Sequence, residues 1–253
     1  MRVFATFNAG TPMIANRVKT GIPGLDQLLD GGFIPGSCVL LCGPPGSGKT
    51  TFGVQYLYSG AVDYGEPGIY ITLNQSPEEI IRSMSRFGMD LKGLKEKGMF
   101  NIVDLTPVLV DAEGHVVLQL GNMDRLRIVG LVSRLINEMH ASRLVIDPLN
   151  GITMQYESNF EARLALLGLS QAIVRSIKCT AILVSETSEP ASALFEQFLT
   201  HGVIALRHIT KDGSLIRGIQ VLKMRETNHS GSTHLYEITD KGIQIRPNER
   251  III

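Results

Sequence analysis

The sequence has no excess of either charge. Its 24 lysines and arginines meet 24 aspartates and glutamates, so the formal net charge at pH 7 is zero. That balance excludes a strongly cationic protein that coats nucleic acid or an anionic membrane through its bulk field, and leaves room only for a local basic patch. Cysteine is scarce: Cys38, Cys42 and Cys179 are too few and too scattered for a disulfide framework or a zinc site. Cys38 and Cys42 stand four apart in an apolar run that reads as a strand, so they share one face as small, reduced core residues. No apolar run approaches the ~20 residues that cross a bilayer. The amino terminus has one early arginine and no continuous apolar stretch, so it does not read as a secretory signal. His115, His140, His201, His208 and His234 show no ligand spacing with acids or cysteines and read as structural or surface residues. The expectation is a soluble cytoplasmic protein with no membrane association.

What is present is enough to build a core. The chain has 253 residues and is 44% hydrophobic, with a mean hydropathy of +0.14. At about 150 residues per domain the length allows one or two, and parallel α/β folds of 200–250 residues are common as one. Residues 1–16 carry no clear period and read as an N-terminal arm, leaving 17–253 as a single domain. A short helix starts near Pro23, with Leu25, Leu28 and Leu29 on one face. From residue 37 strand and helix patterns alternate: strands over 39–42, 69–73, 100–105, 144–146 and 180–184, with helices over 49–63, 123–139 and 160–177 between them. Ser76, Pro77 and Glu79 spell a capping box with proline at the first helical position. Beyond Gly202 only strands follow, over 203–208, 215–224, 234–238 and 243–245. This pattern predicts an α/β fold whose mostly parallel sheet, flanked by helices, is extended at one edge by antiparallel C-terminal strands. The terminal run Arg250-Ile-Ile-Ile253 either extends that sheet or docks elsewhere.

One motif carries chemistry. Gly43-Pro-Pro45-Gly46-Ser47-Gly48-Lys49-Thr50 fits G-x-x-x-x-G-K-[ST], and a strand enters it while an amphipathic helix leaves it, with Thr51 next on that helix. Glycines there let backbone N–H groups converge on phosphate oxygens, and the helix N-terminus adds positive potential. Lys49 is then the ligand of the β- and γ-phosphates, and the Thr50 hydroxyl a ligand of Mg²⁺. Such a motif needs a carboxylate to hold the metal through its water shell. Asp147 closes the apolar run Arg143-Leu-Val-Ile at the carboxyl end of a strand, where parallel sheets bind ligands, and is the second metal-site residue. The motif therefore leads us to expect a nucleoside triphosphate with Mg²⁺.

The stretches KTGIPGLDQLLDGGFIPGS, GIYITLNQSPEEI, RLVIDPLNGI, FEQFLTHGVIAL and VLKMRETNHSGSTHLYEITDKGI, together with the P-loop, resemble the RecA superfamily and, more narrowly, the KaiC-like ATPases common in archaea. They run in order from about residue 18 to 246. The resemblance implies a RecA-type core assembled into a ring, often a hexamer, with ATP between neighbouring subunits. It also implies that Lys223 and Arg225, with His229 four residues on, reach the γ-phosphate held by the adjacent subunit. From the residues alone, basic side chains alternating on a strand are an ordinary solvated face. An arginine supplied in trans does stabilise charge in phosphoryl transfer.

One departure from the family pattern matters. KaiC-like members usually carry Glu-Glu after the second core strand, where one carboxylate activates the attacking water, and this chain has Asn74-Gln75. An amide cannot take a proton, although a glutamine orients water in small GTPases. Losing a general base costs about 10²–10⁴ in rate, so slow or absent turnover is expected. Glu186, at the end of the strand after Asp147, is a candidate to approach the water from the other side, or else fixes the loop that begins at Ser188. The functional expectation is an ATP-binding, ring-forming switch or scaffold for an unknown protein partner, with weak hydrolysis. The alternative is an ordinary Mg²⁺-dependent ATPase. A DNA-binding recombinase is disfavoured, because SETSEPASALFEQFLTHG carries Glu186, Glu189 and Glu196 and no Lys or Arg, and acidic loops repel phosphate.

Overall fold

A computed structural model describes residues 17–106, 108–110, 116–118, 125–187, 194–211 and 213–252. The N-terminal arm, His115, the start of the helix expected at 123, Ser188, Glu189 and Ile253 lie outside the described residues.

In chain order the elements are α1 (Leu25–Leu28), β1 (Cys38–Gly43), α2 (Lys49–Asp63), β2 (Gly68–Thr72), α3 (Pro77–Ser85), α4 (Leu91–Glu96) and β3 (Phe100–Asp104). A small hairpin follows, β4 (Val108–Val110) and β5 (Val116–Leu118), then α5 (Arg125–Met139), β6 (Arg143–Asp147), α6 (Asn150–Thr153), α7 (Asn159–Ala172) and β7 (Thr180–Glu186). The chain ends with α8 (Leu194–Leu199), β8 (Gly202–Lys211), β9 (Ser214–Met224), β10 (Thr233–Thr239) and β11 (Gly242–Ile251). Nine strands form one sheet in the order β11-β10-β9-β8-β1-β7-β6-β2-β3. Strands β3 through β8 in that row run parallel, and β8 to β11 form an antiparallel meander at one edge. The expected fold class holds, and β11 carries the apolar terminus into the sheet as far as Ile251.

Strand alternation divides the core into two layers. Val39 and Leu41 face α1, α2, α3 and α4 through Leu25, Phe52, Tyr56, Ile80 and Leu94. Cys38, Leu40 and Cys42 share the opposite face with Ile128, Val132, Leu166 and Leu169 of α5 and α7. All three cysteines are free and buried, and burial pushes the Cys42 thiol up to about 11, so none is a reactive thiolate. The capping box is formed: the Glu79 N–H donates to Ser76 Oγ at 3.3 Å and the Ser76 N–H to Glu79 Oε2 at 3.1 Å. Helix α7 is shorter than its periodicity suggests. Its last turn widens into a π-turn over Ile173–Ile177 and ends on Lys178 at φ 58°.

Two buried polar contacts tie α2 to the sheet. Gln55 donates its Nε2 to the Ile243 carbonyl at 3.0 Å and accepts the Ile243 N–H at 2.7 Å. Arg143, wholly buried, binds Glu66 Oε2 through Nε at 2.6 Å, donates to the Tyr56 carbonyl at 2.8 Å and lies 4.5 Å from the Tyr56 ring centroid. A carbonyl, a carboxylate and an aromatic face compensate that charge's loss of water. Among the described residues no helix is long and apolar enough to cross a membrane.

Candidate functional site

Strand β1 delivers the P-loop at its carboxyl end. Gly48 takes φ 88° and Gly46 φ 74°, values that L side chains avoid. A Cβ on Gly43 would stand 2.9 Å from Ser47 Oγ and from the Leu206 carbonyl, so the turn closes only around glycine there. Ser47 Oγ donates to the Pro44 carbonyl at 2.8 Å, and the Ser47 carbonyl accepts the Tyr236 hydroxyl of β10 at 2.6 Å. The loop is thus held from within and from the meander.

Lys49 opens α2. Its Nζ donates to the Gly43 and Pro44 carbonyls at 2.9 Å each and stands 4.0 Å from Glu186 Oε1. Burial lowers the lysine pKa, while Glu186 and Asp147 pull it back towards the charged form. One residue on, the Thr50 hydroxyl donates to Asp147 Oδ2 at 2.8 Å, and the Tyr70 hydroxyl from β2 donates to the same oxygen. Burial raises the Asp147 pKa, and the bonds from Tyr70 and Thr50 and the charge of Lys49 oppose that rise. A buried carboxylate with this balance is suited to a nearby cation.

Strand order sets the rest. Because β7 lies between β1 and β6, Glu186 pairs in register with Gly43 and comes between the P-loop and Asp147. The Glu186 N–H donates to Asn150 Oδ1 at 3.1 Å, which ties the end of β7 to α6. Across β6, Thr72 is in register with Asp147. Its hydroxyl accepts the Gln75 N–H at 3.1 Å and donates to the Gln75 carbonyl at 2.8 Å, closing the turn that presents the exposed Asn74 and Gln75.

Pro45, Gly46, Gly48, Lys49, Thr50, Thr51, Asn74, Gln75, Asp147 and Glu186 line one cleft of about 370 Å³. Gly43 and Ser47 form the loop beneath. Ser83 of α3, Phe87 just after that helix, Pro148, and Ile238 of β10 complete the lining. Sequence reading missed these and Tyr70. The amphipathic pattern of 77–85 assigns positions to the core face or away from it, and nothing local says that Ser83 and Phe87 border the P-loop.

Lys223, Arg225 and His229 are not in this cleft. Lys223 pairs with Val203 and Met224 with Gly202, and Gly202 is in register with Val39 at the amino end of β1. At about 3.3 Å per residue, the four steps from Val39 to Gly43 are ~13 Å along the strand. Within its own chain Lys223 donates to the Gln197 and Thr200 carbonyls at 2.8 and 2.6 Å, closing the C-terminal end of α8. Burial, then the charge of Arg225, lowers its pKa. Arg225 is exposed beside His201, whose carbonyl accepts the Arg225 N–H at 2.9 Å.

The donor set fits a nucleotide with Mg²⁺. Among the described residues there is no cluster of three or more metal-ligating His, Cys, Asp or Glu, and Mg²⁺ on a phosphate chain needs none. It takes hard oxygens from one or two protein groups, the phosphates and water, and Thr50 with Asp147 provides such a pair at the mouth of a backbone cradle.

The KaiC ATPase family matches residues 18–250. The chain is 36% identical over 243 residues to the UPF0273 protein of Pyrococcus horikoshii, an alignment covering 93% of this chain and 96% of that one. It is 31% identical over 235 residues to the circadian clock oscillator protein KaiC of Synechococcus elongatus, spanning 91% of this chain but 44% of that longer protein. The crystal structure of a KaiC-like protein from Pyrococcus horikoshii superposes with a TM-score of 0.81 at 35% identity, covering 92% of this chain and all of that one. A family match over almost every described residue, on a fold shared with a solved KaiC-like protein, shows that this chain belongs to the KaiC family of ATPases.

Proposed function

We propose that this protein binds ATP with Mg²⁺ in the P-loop cleft, assembles into a ring, hexameric by preference, with ATP at the subunit interfaces, and hydrolyses it slowly. Nucleotide occupancy then acts as a switch that sets assembly and the binding of a protein partner in the cytoplasm. Lys49 neutralises the β- and γ-phosphates, the loop N–H groups hold their oxygens, and Thr50 with Asp147 holds the metal. When bound, Mg²⁺ supplies charge neutralisation on the phosphate chain. Gln75 orients a water through its amide and takes no proton from it.

The observation that carries this reading is the cleft itself: Lys49, Thr50 and Asp147 line it together with the P-loop glycines, and the opposing turn, closed by Thr72, offers two amides where the family resemblance leads one to expect a general base. The ring is supported by distance. Lys223 and Arg225 lie ~13 Å of strand from their own P-loop, at the opposite end of the sheet, which suits service to a neighbour's nucleotide. The test is steady-state phosphate release with Mg²⁺, against Lys49→Ala as background, alongside sedimentation with and without ATP. Turnover near background, retained ATP binding and ATP-dependent assembly are expected. Rapid turnover would refute weak hydrolysis, and a monomer at saturating ATP would refute the ring. Glu186, 4.0 Å from Lys49, favours a second reading as an ordinary ATPase with that carboxylate as base. Rapid turnover abolished by Glu186→Gln would establish it.

A further inference from the structure

Tyr70 sits mid-strand in β2 with no exposed surface, where an aromatic ring fills the layer beneath α2 and a hydroxyl is not needed for packing. Its ring lies under Gly53, whose Cβ would stand 3.4 Å from Tyr70 Cε2 and 2.9 Å from Val145 Cγ1. Gly53 follows Thr50 by one turn of α2, so one notch in the P-loop helix lets the ring pass up to the metal site. There the hydroxyl donates to Asp147 Oδ2, the oxygen that also accepts from Thr50. Two hydroxyls from two elements, α2 and β2, therefore converge on one oxygen of a residue in a third, β6, and Asp147 itself is only 7% exposed.

Resting on the Mg²⁺-nucleotide reading above, we infer that Tyr70 is a positioning residue for the metal. It fixes the Asp147 carboxylate by its inner oxygen, so that Oδ1 is left for the water shell of the cation. Thr50 alone does not do this well. Its hydroxyl must place a lone pair on the metal while donating to Asp147, so its orientation is set partly by the ligand. The phenol comes from the rigid core and is oriented before the ligand arrives. Groups that orient a metal's immediate partners commonly contribute 10–100-fold in metal affinity.

The test is Tyr70→Phe, which keeps the ring and removes one oxygen. The matched control is Tyr56→Phe, which removes an equally buried hydroxyl from the Thr180 carbonyl, 3.1 Å away at the amino end of β7, the end remote from the P-loop. Nucleotide affinity without metal is measured with fluorescent ATP in EDTA. Mn²⁺ affinity of the nucleotide-bound protein is measured by the electron paramagnetic resonance of free Mn²⁺. Tyr70→Phe is expected to weaken Mn²⁺ binding about tenfold or more while metal-free nucleotide binding stays within twofold, and Tyr56→Phe to change neither. Unchanged Mn²⁺ affinity in Tyr70→Phe would overturn the inference, as would an equal fall in metal-free binding, which marks packing alone. Wild-type protein that binds no Mn²⁺ with nucleotide would overturn the metal-site reading itself.

Discussion

Replacing Asn74 and Gln75 together by glutamate asks whether the cleft lacks only a base. The turn that carries them is pinned by the Thr72 hydroxyl to the Gln75 backbone at 2.8 and 3.1 Å, and both side chains are exposed. The exchange therefore alters chemistry without disturbing the fold. A general base is worth about 10²–10⁴ in rate, roughly 2.7–5.5 kcal/mol at 1.36 kcal/mol per tenfold. Against this, two new charges join Asp147 and Glu186 in a cleft whose described lining holds Lys49 as its one basic side chain. Like charges weaken the binding of an anionic nucleotide, although exposure to solvent screens much of the effect. The net expectation is a rise in kcat of about 10²-fold, at the lower end of that range, with a KM several-fold higher. Steady-state phosphate release at saturating Mg²⁺-ATP measures it, with Lys49→Ala as background and Glu186→Gln added to show which carboxylate acts. A kcat within threefold of wild type, with ATP still bound, would refute the claim that the missing base limits turnover.

Three further outcomes test the framework. Gly60→Ala puts a Cβ 2.5 Å from Arg143 Cδ and Nε, so it should destabilise the protein by about 1–3 kcal/mol through overpacking, read as a lower urea midpoint at unchanged slope. His201 accepts the Cys38 N–H on Nδ1 at 3.2 Å, and burial with the charges of Arg225 and Lys223 lowers its pKa below 6.5. The unfolded chain therefore takes up a proton first as pH falls, so His201's contribution is complete above pH 6.5 and lost as pH drops through the lowered value. Urea melts at pH 7.5 and 5.5 should show that loss, and His201→Asn should shrink it. Tyr236→Phe removes the donor to the Ser47 carbonyl and should cost about 1 kcal/mol of stability, with ATP affinity falling several-fold in a titration; unchanged affinity would mean the loop needs no support from the meander.

Much of this was legible because it is written locally. The P-loop spacing, the acid ending a buried strand and the capping box each depend on neighbours within a few residues, and each lies where the sequence placed it. Short elements escaped. Helix α4 has six residues, and β4 and β5 have three each, too few for either period to emerge. The role of Tyr70 escaped for another reason. In a strand pattern an aromatic residue signals packing, and only the register of β2 beside β6 reveals that its hydroxyl reaches Asp147. Lys223 reads as a surface charge from sequence, and pairing was needed to show both its distance from its own P-loop and its bonds to the end of α8.

The Gln55 amide has a consequence for how this fold tolerates change at its carboxyl end. Facing the Ile243 N–H and carbonyl together, a side chain stands in for the neighbouring strand that the sheet's last member lacks. The stitch begins only six residues beyond Lys49, on the same helix that presents the nucleotide cradle. Peeling β11 away would strand a donor and an acceptor inside the core, directly behind that helix. Cleavage or a fusion that unzips the final strand should therefore register as looser ATP binding before it registers as global unfolding, which makes the edge of the sheet and the phosphate site one mechanical unit.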